Sequence, residues 1–275
     1  MPEGPEIRKA ADEVERALVG QSVKEISFAF HHLQHYQERL KTASIQKVET
    51  KGKAMLIRFD NGYTIYSHNQ LYGKWYVGKA YAYPETNRQL RLAIHNEKNS
   101  ALLYSASDIE VLRDEEVPLH PFIAKVGPDL LNDKVSVTDL VRRFQSNRFR
   151  KRRWTSLLLD QAFIAGIGNY LRSEILFVSG IHPELRPIDC TVEQLEKAAR
   201  TSIDLMWRSY QNGGITNNLE LVQRLKDLGV AHDQYRYWVF NREGQPCRMD
   251  GTEIIKIMAG SRRCYYCPTC QSKEL

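Results

Sequence analysis

The apolar residues of this chain pass from strand to helical period near residue 125, and that change limits the architectures open to it. An opening stretch, GPEIRKAADEVERALVGQ, carries Ile7, Ala11, Val14 and Leu18 on one helical stripe with charged residues opposite. Pro5 suits its first turn and Gly20 its stop. Period two follows in SVKEISFAF, SIQKVETKG, KAMLIRF, YTIYSHN, KWYVGKA, LRLAIHN and ALLYSASD, with turns at 60–62 (DNG) and 96–99 (NEKN). No long helix alternates with these strands, so an antiparallel sandwich is expected over a parallel sheet. After HPFIAKVGPDLL the period becomes helical in VSVTDLVRRFQ, RWTSLLLDQAF, NYLRSEILFVSG, TVEQLEKAARTSIDLMWRSYQ and NLELVQRLKDLG, several opened by Ser, Thr or Asn. The end, from YRYWVFNREGQPC to CPTC, returns to strands and turns. The expectation is an α+β multidomain protein: an N-terminal antiparallel β-sandwich with flanking helices over 1–125, a hinge over 126–135, a helical domain over 136–230 and a small hairpin over 231–275.

Lys and Arg outnumber Asp and Glu by 39 to 33, a net charge of +6. This suits a polyanionic partner without requiring one. Five cysteines, four of them after residue 246, are too few and too uneven for a disulfide framework. No apolar run approaches the roughly 20 residues that span a bilayer, and no secretory signal core opens the chain. The expected setting is a reducing cytoplasm, with no membrane partner. Cys190, alone in its segment, is read as a small hydrophobe.

Three stretches carry possible chemistry. RRFQSNRFRKRRW (142–154) holds seven basic residues and no acid, interleaved with Phe144, Phe149 and Trp154. Such a run is ordinarily a solvated face, but a glycine turn, AGIGN, follows it between two helical segments. Free N–H groups at the helix start by Asn169 make a phosphate site, which raises the case for nucleic acid. The second stretch is MPEGPE. Removal of the initiator Met before Pro leaves Pro2 with a free secondary amine, and α-amines titrate near ~7.7–8.0. The positive end of the adjoining helix should favour the neutral, nucleophilic form. Glu3 stands beside it as a general acid and Glu6 lies one turn on, although acids in a first turn also suit any helix start.

The third stretch is the C-terminal cysteine cluster. Cys267 and Cys270 form a C-x-x-C knuckle, and Cys247 opens another whose second position is Asp250, sixteen residues before Cys267. Cys264 is the rival ligand. If 262–266 is a strand, Cys264 lies ~10 Å along the chain from Cys267 and on the opposite face. Carboxylate oxygen binds zinc at ~2.0–2.2 Å and thiolate at ~2.3 Å, so Asp250 needs no rearrangement. One structural zinc held by Cys247, Asp250, Cys267 and Cys270 is the expectation, with weaker retention than a four-cysteine site.

Taken together, MPEGPEI, KGKAMLI, YSHNQLYGKW, LLYSASDIEVL, HPFIAKVGPD, LLLDQAFIAGIGNYLRSEIL and CPTCQ resemble the endonuclease VIII branch of the formamidopyrimidine-DNA glycosylase superfamily, in the family's order and over essentially the whole chain. The resemblance implies a helix–two-turn–helix element in the helical domain and a zinc-finger β-hairpin at the end. It implies a bifunctional DNA glycosylase and abasic-site lyase that flips oxidised pyrimidines out of double-stranded DNA. On that basis Pro2 is the nucleophile, Glu3 the acid that assists ring opening, and Lys53 a second proton-transfer group that contacts phosphate. Gln70, Leu71 and Tyr72 fill the gap left by the extruded nucleotide, Lys125 and Asn169 contact phosphate, and Arg262 reaches the backbone from the hairpin. Lys125 stands where arginine is usual, which keeps the charge and loses bidentate geometry. Alternatives are a glycosylase for oxidised purines and a damage-binding protein without chemistry. A bacterial monomer associated with the nucleoid is the simplest setting.

Overall fold

The computed structural model describes residues 2–273, which divide into two compact units, Met1–Val126 and Gly127–Leu275. In the first, helix α1 (Gly4–Leu18) precedes strands β1 (Glu25–Phe28), β2 (Ile45–Lys51), β3 (Ala54–Phe59), β4 (Tyr63–His68), β5 (Lys74–Lys79), β6 (Leu90–His95), β7 (Asn99–Tyr104) and β8 (Asp108–Arg113). They form two four-stranded sheets, ordered β1-β6-β7-β5 and β2-β3-β4-β8, in which all pairings are antiparallel. One core joins them: Ile26, Leu92, Ile94 and Leu103 from one sheet meet Ile45, Ile57, Phe59 and Ile65 from the other, with Val14 and Leu18 of α1 among them. The alternating apolar residues thus do what their period requires, burying one face of each sheet. Residues 31–41, expected as no element at all, form a 3₁₀ turn and helix α2 (Gln37–Lys41) that insert only Leu33 and Leu40 into the core.

The second unit contains α3 (Val137–Gln145), α4 (Trp154–Leu157), α5 (Asn169–Ser179), α6 (Val192–Gln211), α7 (Leu219–Asp227), α8 (His232–Tyr235) and the hairpin of β9 (Ile255–Ala259) and β10 (Arg262–Tyr266). Ser136, Thr191 and Asn218 cap α3, α6 and α7 by accepting backbone N–H groups. Two expectations change. RWTSLLLDQAF is helical only over α4 and then proceeds in turns, in which Asp160 accepts the Ala162 N–H on its side chain at 2.9 Å and Leu157, Leu158 and Phe163 are buried. Residues 236–246 form turns with one isolated bridge, not strands. No described helix is long and apolar enough to cross a membrane.

Those turns are held from α5. Glu174 is fully buried, and its carboxylate accepts the N–H groups of Trp238 (2.8 Å), Val239 (2.9 Å) and Phe240 (3.0 Å) and the hydroxyl of Thr216 (2.5 Å). Burial pushes this carboxyl up from its ordinary value, and the four donors pull it back. Glu174→Gln turns an amide N–H toward donors that need an acceptor. We expect it to destabilise the second unit by about 3 kcal/mol, measured by urea denaturation. A loss under about 1 kcal/mol would show that the pocket does not require the carboxylate.

Candidate functional site

Glu3 is the N-cap of α1, and the Glu6 carboxylate accepts its N–H at 2.9 Å in a capping box. Glu3 is only 2 % exposed, deeper than a surface cap needs to be. Pro2, half-buried, precedes it. Lys53 stands on the two-residue turn between β2 and β3, opened by Gly52 at φ +61°. It too is withdrawn from water, at 8 % exposure, which is rare for lysine unless its ammonium has a partner or a task. The next residue, Ala54, pairs with His68 on β4. Burial first, and the Lys53 charge second, push the His68 imidazole down to about 4. His68 is therefore neutral near pH 7, and its Nδ1 accepts the N–H of Gln70 at 3.1 Å.

That bond anchors the turn carrying Gln70, Leu71 and Tyr72. Gln70 adopts φ +49°, a left-handed conformation unusual for a non-glycine residue. Gly73 closes the turn by donating to the Asn69 carbonyl at 2.7 Å, and a Cβ there would lie 2.6 Å from Asn69 backbone atoms. A neighbouring loop adds the Arg88 guanidinium, which donates to the Tyr72 carbonyl. Leu71 and Tyr72 project at 59 % and 69 % exposure, apolar area held out into solvent on a rigid base.

In the second unit Asn169 opens α5, following Gly168. Its Oδ1 accepts from Arg172 at 2.8 Å, which leaves the amide N–H groups to donate outward. The fully buried Arg172 also donates to the carbonyl of Arg263 (2.6 Å), so the helix start and β10 are tied through one guanidinium. Arg262, exposed, begins β10 opposite Ala259. Of the basic run, Phe144, Phe149 and Trp154 are core residues and not stacking platforms. Arg143 donates to the carbonyls of Ala162 and Phe163, and Arg152 pairs with Asp160 at 2.7 Å. Arg142, Arg148, Lys151 and Arg153 are exposed. The half-buried Cys190 accepts from the Trp154 indole at 3.4 Å.

Cys247, Asp250, Cys267 and Cys270 converge, with their candidate ligand atoms all within 4.8 Å of one another. The Cys247 and Cys270 sulfurs are 3.8 Å apart. Asp250 oxygens lie 3.1 Å from Cys270 Sγ and 3.4 and 3.5 Å from Cys267 Sγ. The Cys270 thiol and the Thr252 N–H hold the Asp250 carboxyl well below the usual carboxylate range. Four such groups can hold a metal ion. Cys264 lies outside the cluster, buried on the other face of β10 with its sulfur 3.8 Å from the Ser173 hydroxyl of α5.

Residues 1–107 match the model of the formamidopyrimidine-DNA glycosylase N-terminal domain, and residues 126–220 match that of the formamidopyrimidine-DNA glycosylase H2TH domain. Proteins named Endonuclease 8 from Shigella sonnei and Escherichia coli are each 44 % identical over 271 residues, covering 98 % of this chain and all of theirs. The chain belongs to the endonuclease VIII branch of the formamidopyrimidine-DNA glycosylase family. Its fold is also that of Lactococcus lactis formamidopyrimidine-DNA glycosylase, solved non-covalently bound to DNA containing an abasic site. That structure has a TM-score of 0.81 at 20 % identity and covers 98 % of this chain and all of its own. A second structure of that enzyme, with DNA containing an oxidised pyrimidine, has a TM-score of 0.81 at 21 % identity and covers 99 % of this chain and all of its own.

Within this endonuclease VIII relative, the first unit carries Pro2, Glu3, Lys53, Gln70, Leu71, Tyr72 and the exposed Lys125. The second carries Asn169, Arg262 and the metal cluster. Sequence reasoning missed the supports: His68, Arg88 and Arg172. Only His68 had a visible cue, its place immediately before Asn-Gln-Leu-Tyr.

Two outcomes are expected. Asp250→Ala loses bound divalent metal to a chelator faster than the wild type, whereas Cys264→Ala retains it, as metal analysis after dialysis would show. The reverse pattern would make Cys264 the ligand. His68 has a folded value near 4 against an ordinary 6.5. Its contribution is therefore full above pH 6.5 and is lost as pH falls toward 4, by about 2–3 kcal/mol at most. His68→Asn should flatten the stability profile across that window, and an unchanged slope would contradict the assignment.

Proposed function

We propose that this protein is a bifunctional DNA glycosylase and abasic-site lyase of base excision repair, which removes oxidised pyrimidines from double-stranded DNA through a Schiff base on Pro2. The observation that carries this reading is the burial of Glu3 and Lys53, two ionisable groups withdrawn from water on elements that did not oblige it. The 44 % identity to proteins named Endonuclease 8 over almost the whole chain supports the choice of pyrimidine lesions.

With Met1 removed, the neutral Pro2 nitrogen attacks the sugar C1′. The C1′–base bond breaks and the base leaves with its electron pair and a proton. Glu3, as the acid, protonates the ring oxygen so that the sugar opens and an iminium forms at C1′. The iminium draws electrons from the C2′–H bond. Loss of that proton expels the 3′ phosphate, and a second elimination expels the 5′ phosphate. Lys53 is the second proton-transfer group and a phosphate contact. Leu71 and Tyr72 offer apolar area to bases that have lost a stacking partner, and Gln70 meets the orphaned base. Lys125, Asn169 and Arg262 contact phosphates, so affinity falls with salt as counterions are released.

Zinc suits the metal cluster. A tetrahedron with thiolate arms of about 2.3 Å and a carboxylate arm of about 2.0 Å has S···S edges near 3.8 Å and S···O edges near 3.5 Å. The structure has 3.8 Å and 3.1–3.5 Å. Bound there, zinc would brace the hairpin that presents Arg262 and take no part in the chemistry. Residues 126–135 are our proposed hinge. Its Gly127 N–H donates to the Gln161 carbonyl at 2.8 Å and its Pro128 carbonyl accepts from Ala165 at 2.9 Å, so these two residues are tied to the second unit. The protein works as a cytoplasmic, nucleoid-associated monomer.

Borohydride should trap the protein covalently on duplex DNA bearing thymine glycol or an abasic site, with the adduct on the peptide beginning at Pro2. Protein with an N-terminal extension should give no adduct. Glu3→Gln should slow base release by about a hundredfold or more yet still trap on a preformed abasic site. An adduct on a lysine peptide, or none at all, would overturn the mechanism.

A further inference from the structure

The sheet β2-β3-β4-β8 buries apolar residues on both faces. Ile57 and Ile65 belong to the sandwich core, whereas Ala54, Leu56 and Tyr66 form a second cluster with Val117, against which Phe122 and Ile123 pack. This outer cover is VPLHPFIAK (117–125), the segment that ends on Lys125. Pro121 has no N–H, so Phe122 supplies the first donor of the turn at 121–125. His120 meets that donor: its Nδ1 accepts the Phe122 N–H at 3.3 Å. A ring nitrogen that accepts carries no proton, so Nε2 bears the N–H and faces a Glu110 carboxylate oxygen at 3.3 Å. The His120 ring also lies against Tyr66, with centroids 4.1 Å apart, and Tyr66 and Glu110 are partners across β4 and β8. Histidine thus does at this turn what asparagine or aspartate does at a helix start.

The capped turn then closes on itself. The His120 carbonyl accepts the Ala124 N–H at 2.9 Å, and the Phe122 carbonyl accepts those of Lys125 (3.2 Å) and Val126 (3.1 Å). The Phe122 ring meets His68 edge-on at 5.4 Å, and His68 is the imidazole that accepts the Gln70 N–H. All these residues belong to the first unit. The backbone of Lys125 and the base of the Leu71–Tyr72 turn are therefore tied together through Phe122 and two histidines. The Lys125 side chain itself is exposed. A lysine ammonium on its long stem has many rotamers, so the fold can preset only the backbone from which it reaches. If that turn frays, the charge spreads over many positions and a phosphate beside it keeps its counterion.

We propose that His120 is a positioning residue for DNA binding: by capping the turn at 121–125 it holds Lys125 on its phosphate, at a fixed offset from the Leu71–Tyr72 wedge. This rests on the reading above that Lys125 contacts phosphate. His120 itself touches no DNA in this account and acts only through the Phe122 N–H.

The test measures the affinity of the whole protein for duplex DNA bearing a tetrahydrofuran abasic analogue, over a series of KCl concentrations. Each phosphate neutralised contributes about 0.9 to the slope of log affinity against log salt. Partial unfolding scales every affinity alike and leaves that slope unchanged. Lys125→Ala should lower the slope by about 0.9. His120→Phe keeps a ring against Tyr66 and removes both nitrogens, and it should lower the slope by the same amount with Lys125 still present. The double variant should go no lower. His120→Asn, whose side-chain oxygen can accept the Phe122 N–H, should restore the wild-type slope. If Lys125→Ala lowers the slope and His120→Phe does not, the positioning role is refuted and the Lys125 contact stands. A His120→Asn slope as low as that of His120→Phe would also refute the cap. If Lys125→Ala leaves the slope unchanged, Lys125 meets no phosphate and the proposal falls with that reading.

Discussion

Two ionisable side chains in the middle of a buried helix organise the second unit. On α5, Arg172 and Glu174 are both fully withdrawn from solvent. Such burial is tolerable because each is hydrogen-bonded to several partners, most of them far along the chain. Arg172 takes the Asn169 side chain and the Arg263 carbonyl, and Glu174 takes three successive N–H groups of 238–240. Ser173 between them accepts the N–H of Tyr265. One helix therefore fixes its own N-terminus at Asn169, the strand bearing Arg262 and the lead-in to the cysteine hairpin in a common frame. Losing any one partner leaves a buried polar group unsatisfied, at a cost of about 1–3 kcal/mol.

The first unit solves a related problem on its surface. A loop that must expose leucine and tyrosine to water tends to collapse onto apolar neighbours, so it needs a stiff base. Here the stiffness comes from a neutral histidine beneath Gln70, a glycine that admits no side chain at position 73, and an arginine on the Tyr72 carbonyl. The same supports pass close to Lys53, whose turn precedes the strand that pairs with His68. The turn of the buried Lys53 and the exposed Leu71–Tyr72 turn are thus linked through one imidazole.

How much of this could be seen in the residues alone follows from the range of the interactions. The sandwich strands were legible because alternation is a local property. So was β10, together with the consequence that Cys264 and Cys267 face opposite ways; that Cys264 meets Ser173 of α5 came only from the fold. The cluster itself was legible from spacing. The turns at 236–246 were not, since they depend on a carboxylate 64 residues earlier for their N–H partners with Trp238. Residues 158–167 misled for a different reason: their apolar residues follow neither helical nor strand period cleanly, and the bonds of Asp160 and Gln161 that set the turns are not visible in the sequence. The aromatics of the basic run misled by composition, since only the fold reveals that Phe144 and Trp154 point inward.

Asp250 has a further meaning in the currency of electrons. Thiolates can be oxidised to disulfides or sulfenic acids, and a site made of four of them can be dismantled two at a time by peroxide. A carboxylate stands outside that ladder. With Asp250 in the fourth place only three oxidisable ligands remain, so pairing any two strands the third without a partner in the cluster. The reserve cysteine nearest in sequence, Cys264, is sealed on the far side of its strand. The hairpin thus cannot be converted into a fully cross-linked, metal-free form by its own sulfur. A disulfide between two of its cysteines would leave the third thiol alone in the cluster, open to the sulfenic and sulfinic steps of that ladder.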